Sequence, residues 1–216
     1  DFLLKLMPKK NIAVFVSTFP SYSETFIVNQ LNCLIEEGYN VEIFTEEFND
    51  NVKHSAALLK HDLLSKVFTY DVSLSIPKSK VKRIYKAIGI YIKNKSIRPL
   101  LLQSLDSEKV GKRGRNLYNV FFIEHFKKYV NRYDIVHAHF GPNGKTIYNF
   151  QKLGLFNARK TVVTFHGYDV HNFDGDFYKS LFLTDYVFTV NSSYTKNKLQ
   201  KLGAINKTVI LPMGID

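Results

Sequence analysis

Short runs of β-branched and aromatic residues recur along this chain with helix-patterned stretches between them, and that alternation most narrows the folds open to it. The runs are Asn11–Ser17, Val41–Thr45, Lys66–Tyr70, Tyr133–Phe140, Lys160–Phe165, Asp185–Asn191 and Lys207–Leu211. Each has the length and composition of a strand, and Thr161–Phe165 reads as one buried on both faces. Behind the first run comes a loop, Thr18–Ser23, and then Ile27, Leu31, Leu34 and Ile35 at helical spacing, with Gly38 as a suitable stop. Ser21-x-x-Glu24 has the spacing of a capping box at the start of that helix. Further helices are expected over Leu100–Leu105, over Tyr118–Val130, from the turn Gly141-Pro142-Asn143-Gly144 to near Gly154, and from a cap at Ser192 or Ser193 to Gly203. Glu46–Leu64 reads as a charged loop with a short helix, and Lys109–Arg115 as an exposed loop. Strands joined through helices give a parallel sheet flanked by helices on both faces, an α/β, Rossmann-like fold.

A chain of 216 residues with 45% hydrophobic residues buries a sizeable core and suits one domain, or at most two small ones. The single Cys33 excludes a disulfide framework and a thiolate zinc site, fits a reducing compartment, and reads as a packed thiol inside a helix. No run is long enough to cross a bilayer, and the apolar stretch around Phe2-Leu3-Leu4 is too short for a signal peptide. The start at Asp1 points to a natural N-terminus lying elsewhere. The chain reads as cytoplasmic.

The net charge of +11 asks for an anionic partner: nucleic acid, lipid or a phosphorylated small molecule. No zinc finger, RRM signature or helix-turn-helix pattern favours nucleic acid. The positive charge concentrates in Lys78, Lys80, Lys82, Arg83, Lys86, Lys93, Lys95 and Arg98, with no acidic residue between Lys78 and Arg98. Val81, Ile84, Tyr85, Ile88 and Ile92 fall on one helical stripe within that segment. Two readings stand: an amphipathic helix on an anionic membrane surface, and a helix whose apolar stripe faces the core.

In an open parallel sheet, ligands bind at the carboxyl ends of the strands. That rule puts His166 on the rim of a cleft, followed by Gly167, Tyr168 and Asp169. His137 and His139, two apart on a strand, share a face. With His166 they make a three-histidine metal site conceivable, although no carboxylate or H-E-x-x-H pattern completes a ligand set, and histidines lining the cleft are the alternative. Asp169 and His171 could form a carboxylate–imidazole pair, but no G-x-S-x-G elbow or other nucleophile accompanies them.

Taken in order, these motifs resemble the amino-terminal half of a family 4 glycosyltransferase of GT-B fold, of the bacterial exopolysaccharide and colanic-acid type. Phe19-Pro20-Ser21-Tyr22-Ser23-Glu24-Thr25-Phe26-Ile27, with Gln30 next on the helix, resembles the family's F-P-x-x-S-E-T-F-I segment. Asp134–Phe140 is similar to its D-x-x-H-x-H-F strand, Thr164–Asp169 to its T-x-H-G-x-D segment, and Leu211–Asp216 to the P-N-G-V-D end of its first domain. The resemblance implies one Rossmann-like, acceptor-side domain, with a donor-binding domain carrying spaced glutamates beyond it. It implies metal-independent transfer, with retention, of a sugar from a nucleotide sugar to a hydroxyl of a lipid-linked or polysaccharide acceptor, at or near the cytoplasmic face of the membrane. By residue-to-residue carry-over, His166 is the catalytic candidate beside the donor sugar. Ser21, Tyr22, Ser23, Glu24, His139, Gly167, Tyr168 and Asp169 are substrate-binding candidates, and Lys78, Lys80, Lys82, Arg83 and Lys86 are membrane-surface candidates. Glu24 either caps its helix or contacts the acceptor hydroxyl, with capping preferred. The first loop departs from many relatives in lacking paired glycines for close phosphate approach. The competing reading is a non-enzymatic, flavodoxin-like binding or regulatory domain.

Overall fold

The computed structural model describes residues 10–52, 55–72, 75–106 and 116–212. The Lys109–Arg115 loop, most of Leu211–Asp216 and the apolar residues near the start lie outside them. Seven parallel strands form one sheet: β1 Asn11–Phe19, β2 Asn40–Phe48, β3 Val67–Thr69, β4 Ile135–His139, β5 Lys160–Phe165, β6 Val187–Val190 and β7 Thr208–Ile210, ordered β3-β2-β1-β4-β5-β6-β7. The helices are α1 Thr25–Glu36, α2 Ala56–Leu59, α3 Lys80–Lys93, α4 Arg98–Gln103, α5 Tyr118–Phe126, α6 Gly141–Lys152, α7 Gly167–Asn172, α8 Gly175–Phe182 and α9 Ser193–Lys201. Two compact units result. One holds the described residues of Asp1–Tyr70, Tyr133–Lys145 and Ala158–Asp216, and with them the sheet; the other holds those of Asp71–Arg132 and Thr146–Asn157.

Within the first unit the strand register decides which side chains share a face. Ile12, Val14 and Val16 of β1 and Ile43 of β2 pack with Ile27 and Leu31 of α1 and Leu58 of α2. On the other face Phe15 stacks on Phe44, and Phe44 on Phe68, because the three are in register. That face also carries Val163, Phe165 and Phe188, covered by α6 and α8. β5 is therefore not buried on both faces. Thr161, Val163 and Phe165 are buried, while Val162 and Thr164, like Val187 and Thr189 of β6, are only half-buried.

Two local expectations fail for stated reasons, and a third shifts. The Ser21–Glu24 capping box does not form: α1 starts at Thr25 with Glu24 as its N-cap residue, no side chain caps it, and the Ser21 hydroxyl meets the Ser23 hydroxyl at 3.2 Å. Cys33 is exposed, one position beyond the face buried by Leu31 and Asn32. Gly141–Gly144, expected as a turn leading into the helix, is itself the first turn of α6, with Pro142 where a helix start tolerates its missing N–H. By contrast Ser192 caps α9 as its spacing implies, accepting from the Thr195 amide at 3.1 Å.

Gly141 is required by close approach. A Cβ there would come within 2.6 Å of Phe165 and of Tyr178, whose side chains are fully buried. Alanine gains at most about 1 kcal/mol in helix propensity over glycine, whereas overpacking costs about 1–3 kcal/mol; with two fully buried rings in the way the upper end applies, so the sum is unfavourable. Gly141→Ala should lower Tm by a few degrees; an unchanged or raised melting temperature in a thermal scan would show that the two rings give way.

Candidate active site

The strand order reverses between β1 and β4: the chain runs outward through β2 and β3, then returns to pair β4 with β1. The carboxyl ends beside such a switch point are where open α/β sheets bind ligands. Here they carry the loop into α1, His139 at the end of β4, and His166 just past β5. The register pairs His137 with Val14 and Val162, and His139 with Thr164, so both histidines project on the face covered by α1.

A polar ladder crosses this face. Thr189 Oγ1 lies 2.6 Å from Thr164 Oγ1, which lies 2.7 Å from His137 Nε2. The His137 and His139 rings are 4.4 Å apart, and His139 Nδ1 approaches His166 Nε2 at 3.4 Å. Phe26, in the first turn of α1, closes over this group, its ring 5.0 Å from that of His166 and 6.3 Å from that of His139; Phe140 approaches His166 at 4.5 Å. His166 is thus 6% exposed, set behind the rim rather than standing on it.

Burial in this aromatic pocket disfavours charge. It lowers His166 to about 4; it lowers His137 to about 4 with help from His166; and it holds His139 well below its usual value, with His137 and His166 adding to the effect. All three imidazoles are neutral near pH 7, each offering one donor and one acceptor nitrogen. His139 Nε2 and His166 Nδ1 are buried and have no hydrogen-bond partner among the described residues. Such an atom costs about 1–3 kcal/mol, which a ligand hydroxyl could restore. No group of three or more His, Cys, Asp or Glu among the described residues converges to hold a metal ion: His137 is engaged with Thr164.

Asp169 braces the backbone beside these histidines. Its side chain is fully buried, and its Oδ2 accepts the Gly141 amide at 2.8 Å. It fixes the turn between β4 and α6, and burial lifts its carboxyl to about 7 against the pull of the Gly141 and neighbouring amides. Its other oxygen, Oδ1, is buried without a hydrogen-bond partner among the described residues, and the carboxyl does not pair with His171, which stacks on Tyr194. Tyr168 is exposed, and Gly167 is half-buried at the start of α7, where an added Cβ would meet open space.

In the first loop Tyr22 and Ser23 are exposed, and the Tyr22 hydroxyl donates to the Asn51 carbonyl at 2.9 Å. The Glu24 carboxyl is half-buried, is raised by that burial, and is not spent on capping.

Asn143 escaped the sequence reading. It is buried in the first turn of α6 and donates to the His139 carbonyl at 2.7 Å and to the Ser17 hydroxyl at 3.1 Å, while the Tyr70 hydroxyl donates to its Oδ1 at 3.3 Å. It holds the ends of β1 and β4 together at the switch point. The one available signal was an amide placed four residues after a strand-end histidine.

Residues 23–216 match the family model for Glycosyltransferase Family 4. The chain is 28% identical over 213 residues to a putative colanic acid biosynthesis glycosyltransferase, WcaL, of Escherichia coli K12, a match covering 95% of this chain and 50% of that protein. It is 27% identical over 214 residues to the amylovoran biosynthesis glycosyltransferase AmsK of Erwinia amylovora, covering 95% of this chain and 51% of that one. The chain spans about half the length of these curated relatives. Among solved structures it is similar in fold to a sucrose-phosphate synthase chain from Thermosynechococcus elongatus, with a TM-score of 0.52 and 16% identity, covering 96% of this chain and 91% of that one. These matches disfavour the non-enzymatic binding module.

Proposed function

Because the chain belongs to glycosyltransferase family 4, we propose that it is the acceptor-side, N-terminal domain of an enzyme that transfers a sugar from a nucleotide sugar to a hydroxyl, with retention and without a metal. The observation that carries this reading is the pair of buried, neutral, unpartnered nitrogens, His139 Nε2 and His166 Nδ1, beneath the loop that ends at Glu24. Neutral imidazoles suit hydrogen bonds to sugar hydroxyls and are poor ligands for charged phosphate. The pyrophosphate therefore belongs to the donor-binding domain, which fits a first loop without paired glycines. The 216-residue chain is inactive alone in this reading.

Glu24 takes the acceptor side. Released from capping and held half-buried, its carboxyl is a hydrogen-bond partner for the acceptor hydroxyl, with Ser21, Tyr22 and Ser23 on the same loop. The relatives named for colanic acid and amylovoran biosynthesis support a role in cell-surface polysaccharide assembly, with a lipid-linked acceptor met at the cytoplasmic face of the membrane.

The test is to incubate the full-length protein with a panel of nucleotide sugars and a lipid-linked saccharide, and to determine the anomeric configuration of the product by NMR. Consumption of no donor, or inversion in the product, would refute the reading. Glu24→Gln should raise the acceptor KM about tenfold while leaving the donor KM unchanged; the converse would put Glu24 on the donor side.

A further inference from the structure

The α3 helix turns its apolar side outward. Val81, Ile84, Tyr85, Ile88 and Ile92 are between 49% and 73% exposed. The residues facing inward are Arg83 and Ala87, and the Arg83 guanidinium lies 4.7 Å over the Tyr118 ring and donates to the Lys78 carbonyl. Arg83 is therefore withdrawn from the exposed basic set, and the core-facing reading of the apolar stripe fails with it. At 100° per residue, the five apolar side chains form a continuous stripe. Lys82, Lys86 and Lys93 run along one border and Lys80 along the other, all exposed. The helix contains no Asp or Glu.

We infer that α3 lies flat in the surface of an anionic bilayer, with Val81, Ile84, Tyr85, Ile88 and Ile92 inserted among the acyl chains and the bordering lysines at the headgroups. This deepens the membrane-facing part of the proposed function and rests on that reading only for the purpose the docking serves. With 14 residues the helix is about 21 Å long, too short to span a bilayer but suited to its plane. Lysine stems can lie along apolar surface while their ammonium groups reach phosphate. Charge selects the occupant. A second copy would bring an equally basic border against this one, on a chain already carrying +11, whereas an anionic lipid surface complements both the stripe and its rim.

The test uses vesicles of phosphatidylcholine alone and of phosphatidylcholine with about a third phosphatidylglycerol. The chain should sediment with the anionic vesicles, less so as salt rises, and hardly at all with the neutral ones. Ile84→Glu/Ile88→Glu should lower the binding by more than about tenfold, and Lys82→Gln or Lys86→Gln by about fivefold each. Because the chain has no tryptophan, Ile88→Trp gives a direct signal: its emission should shift to shorter wavelength on anionic vesicles, while Leu183→Trp, on an exposed site in the other unit, should not move. Equal binding to both vesicle types, unchanged binding by the double glutamate variant, or a silent Ile88→Trp each overturns the inference. So does a concentration-dependent dimer abolished by Ile84→Glu/Ile88→Glu, which would assign the stripe to a second copy. Transfer to a soluble acceptor by the full-length enzyme carrying the same variant separates the two claims: it persists if only docking fails, and it is absent from the unmutated enzyme if the proposed function fails.

Discussion

His166→Ala in the full-length enzyme should lower kcat by about 10²–10³-fold, the loss typical of a hydrogen-bonding group aimed at the reacting centre. The side chain sits where the carboxyl end of β5 meets Phe26 and Phe140, with Nε2 toward His139 and Nδ1 left for a ligand. The fall belongs in kcat rather than in the donor KM, because most donor contacts lie on the other domain in the proposed function. His166→Gln, which keeps an amide donor and acceptor, should recover part of the loss. A melting scan of both variants separates chemistry from packing, since removing a buried ring costs stability by itself. Turnover unchanged in a folded His166→Ala protein would remove His166 from the site.

Stability should rise steeply with pH from about 4 to 6.5 and then level off. Folding holds the three histidines below their ordinary value of 6.5, His137 and His166 at about 4. Across that window the unfolded chain binds three protons that the folded chain does not. Asp169 opposes them, because burial raises it from 3.8 to about 7 and the folded chain keeps one proton that the unfolded chain has lost. Three less one leaves two extra protons on the unfolded chain, which corresponds to a slope of about 2.7 kcal/mol per pH unit. Glu24, also raised, adds to the opposing count toward the acid end. Above 6.5 the last histidine protons of the unfolded chain and the Asp169 proton of the folded chain are lost together with opposite signs, so the curve flattens. Urea midpoints measured from about pH 5 to about pH 8 check this, and His137→Asn should flatten the acid limb. A midpoint that climbs toward acid would mean that Asp169 outweighs the histidines.

The central strands were legible because burial on a parallel sheet leaves a dense β-branched run, as in Ile12–Val16 and Lys160–Phe165. The motif histidines were legible for the same reason, being polar residues at the ends of such runs. What escaped was short or depended on partners distant in sequence. The six residues of α7 are too few to show a periodicity, whereas α8 was signalled by Tyr178, Leu181 and Phe182 at i, i+3 and i+4 behind the capping Asp174 and was missed for its shortness. The bond from the Gly141 amide to Asp169, 28 positions away, is invisible in the sequence. The α3 pattern gave the stripe but not its direction, since an amphipathic helix reads alike from either side. Arg83 decided that by turning inward onto Tyr118.

The position of the histidines within the sheet also governs which fluctuations can disturb them. They hang from β4 and β5, with β1, β2 and β3 beyond on one side and β6 and β7 on the other. Fraying that begins at either margin must unzip at least two strands before it loosens His139 or His166. Amide exchange should therefore be fast in β3 and β7 and slowest at Ala138 and Val163. The wall that carries the histidines can then stay rigid while the sheet's margins breathe.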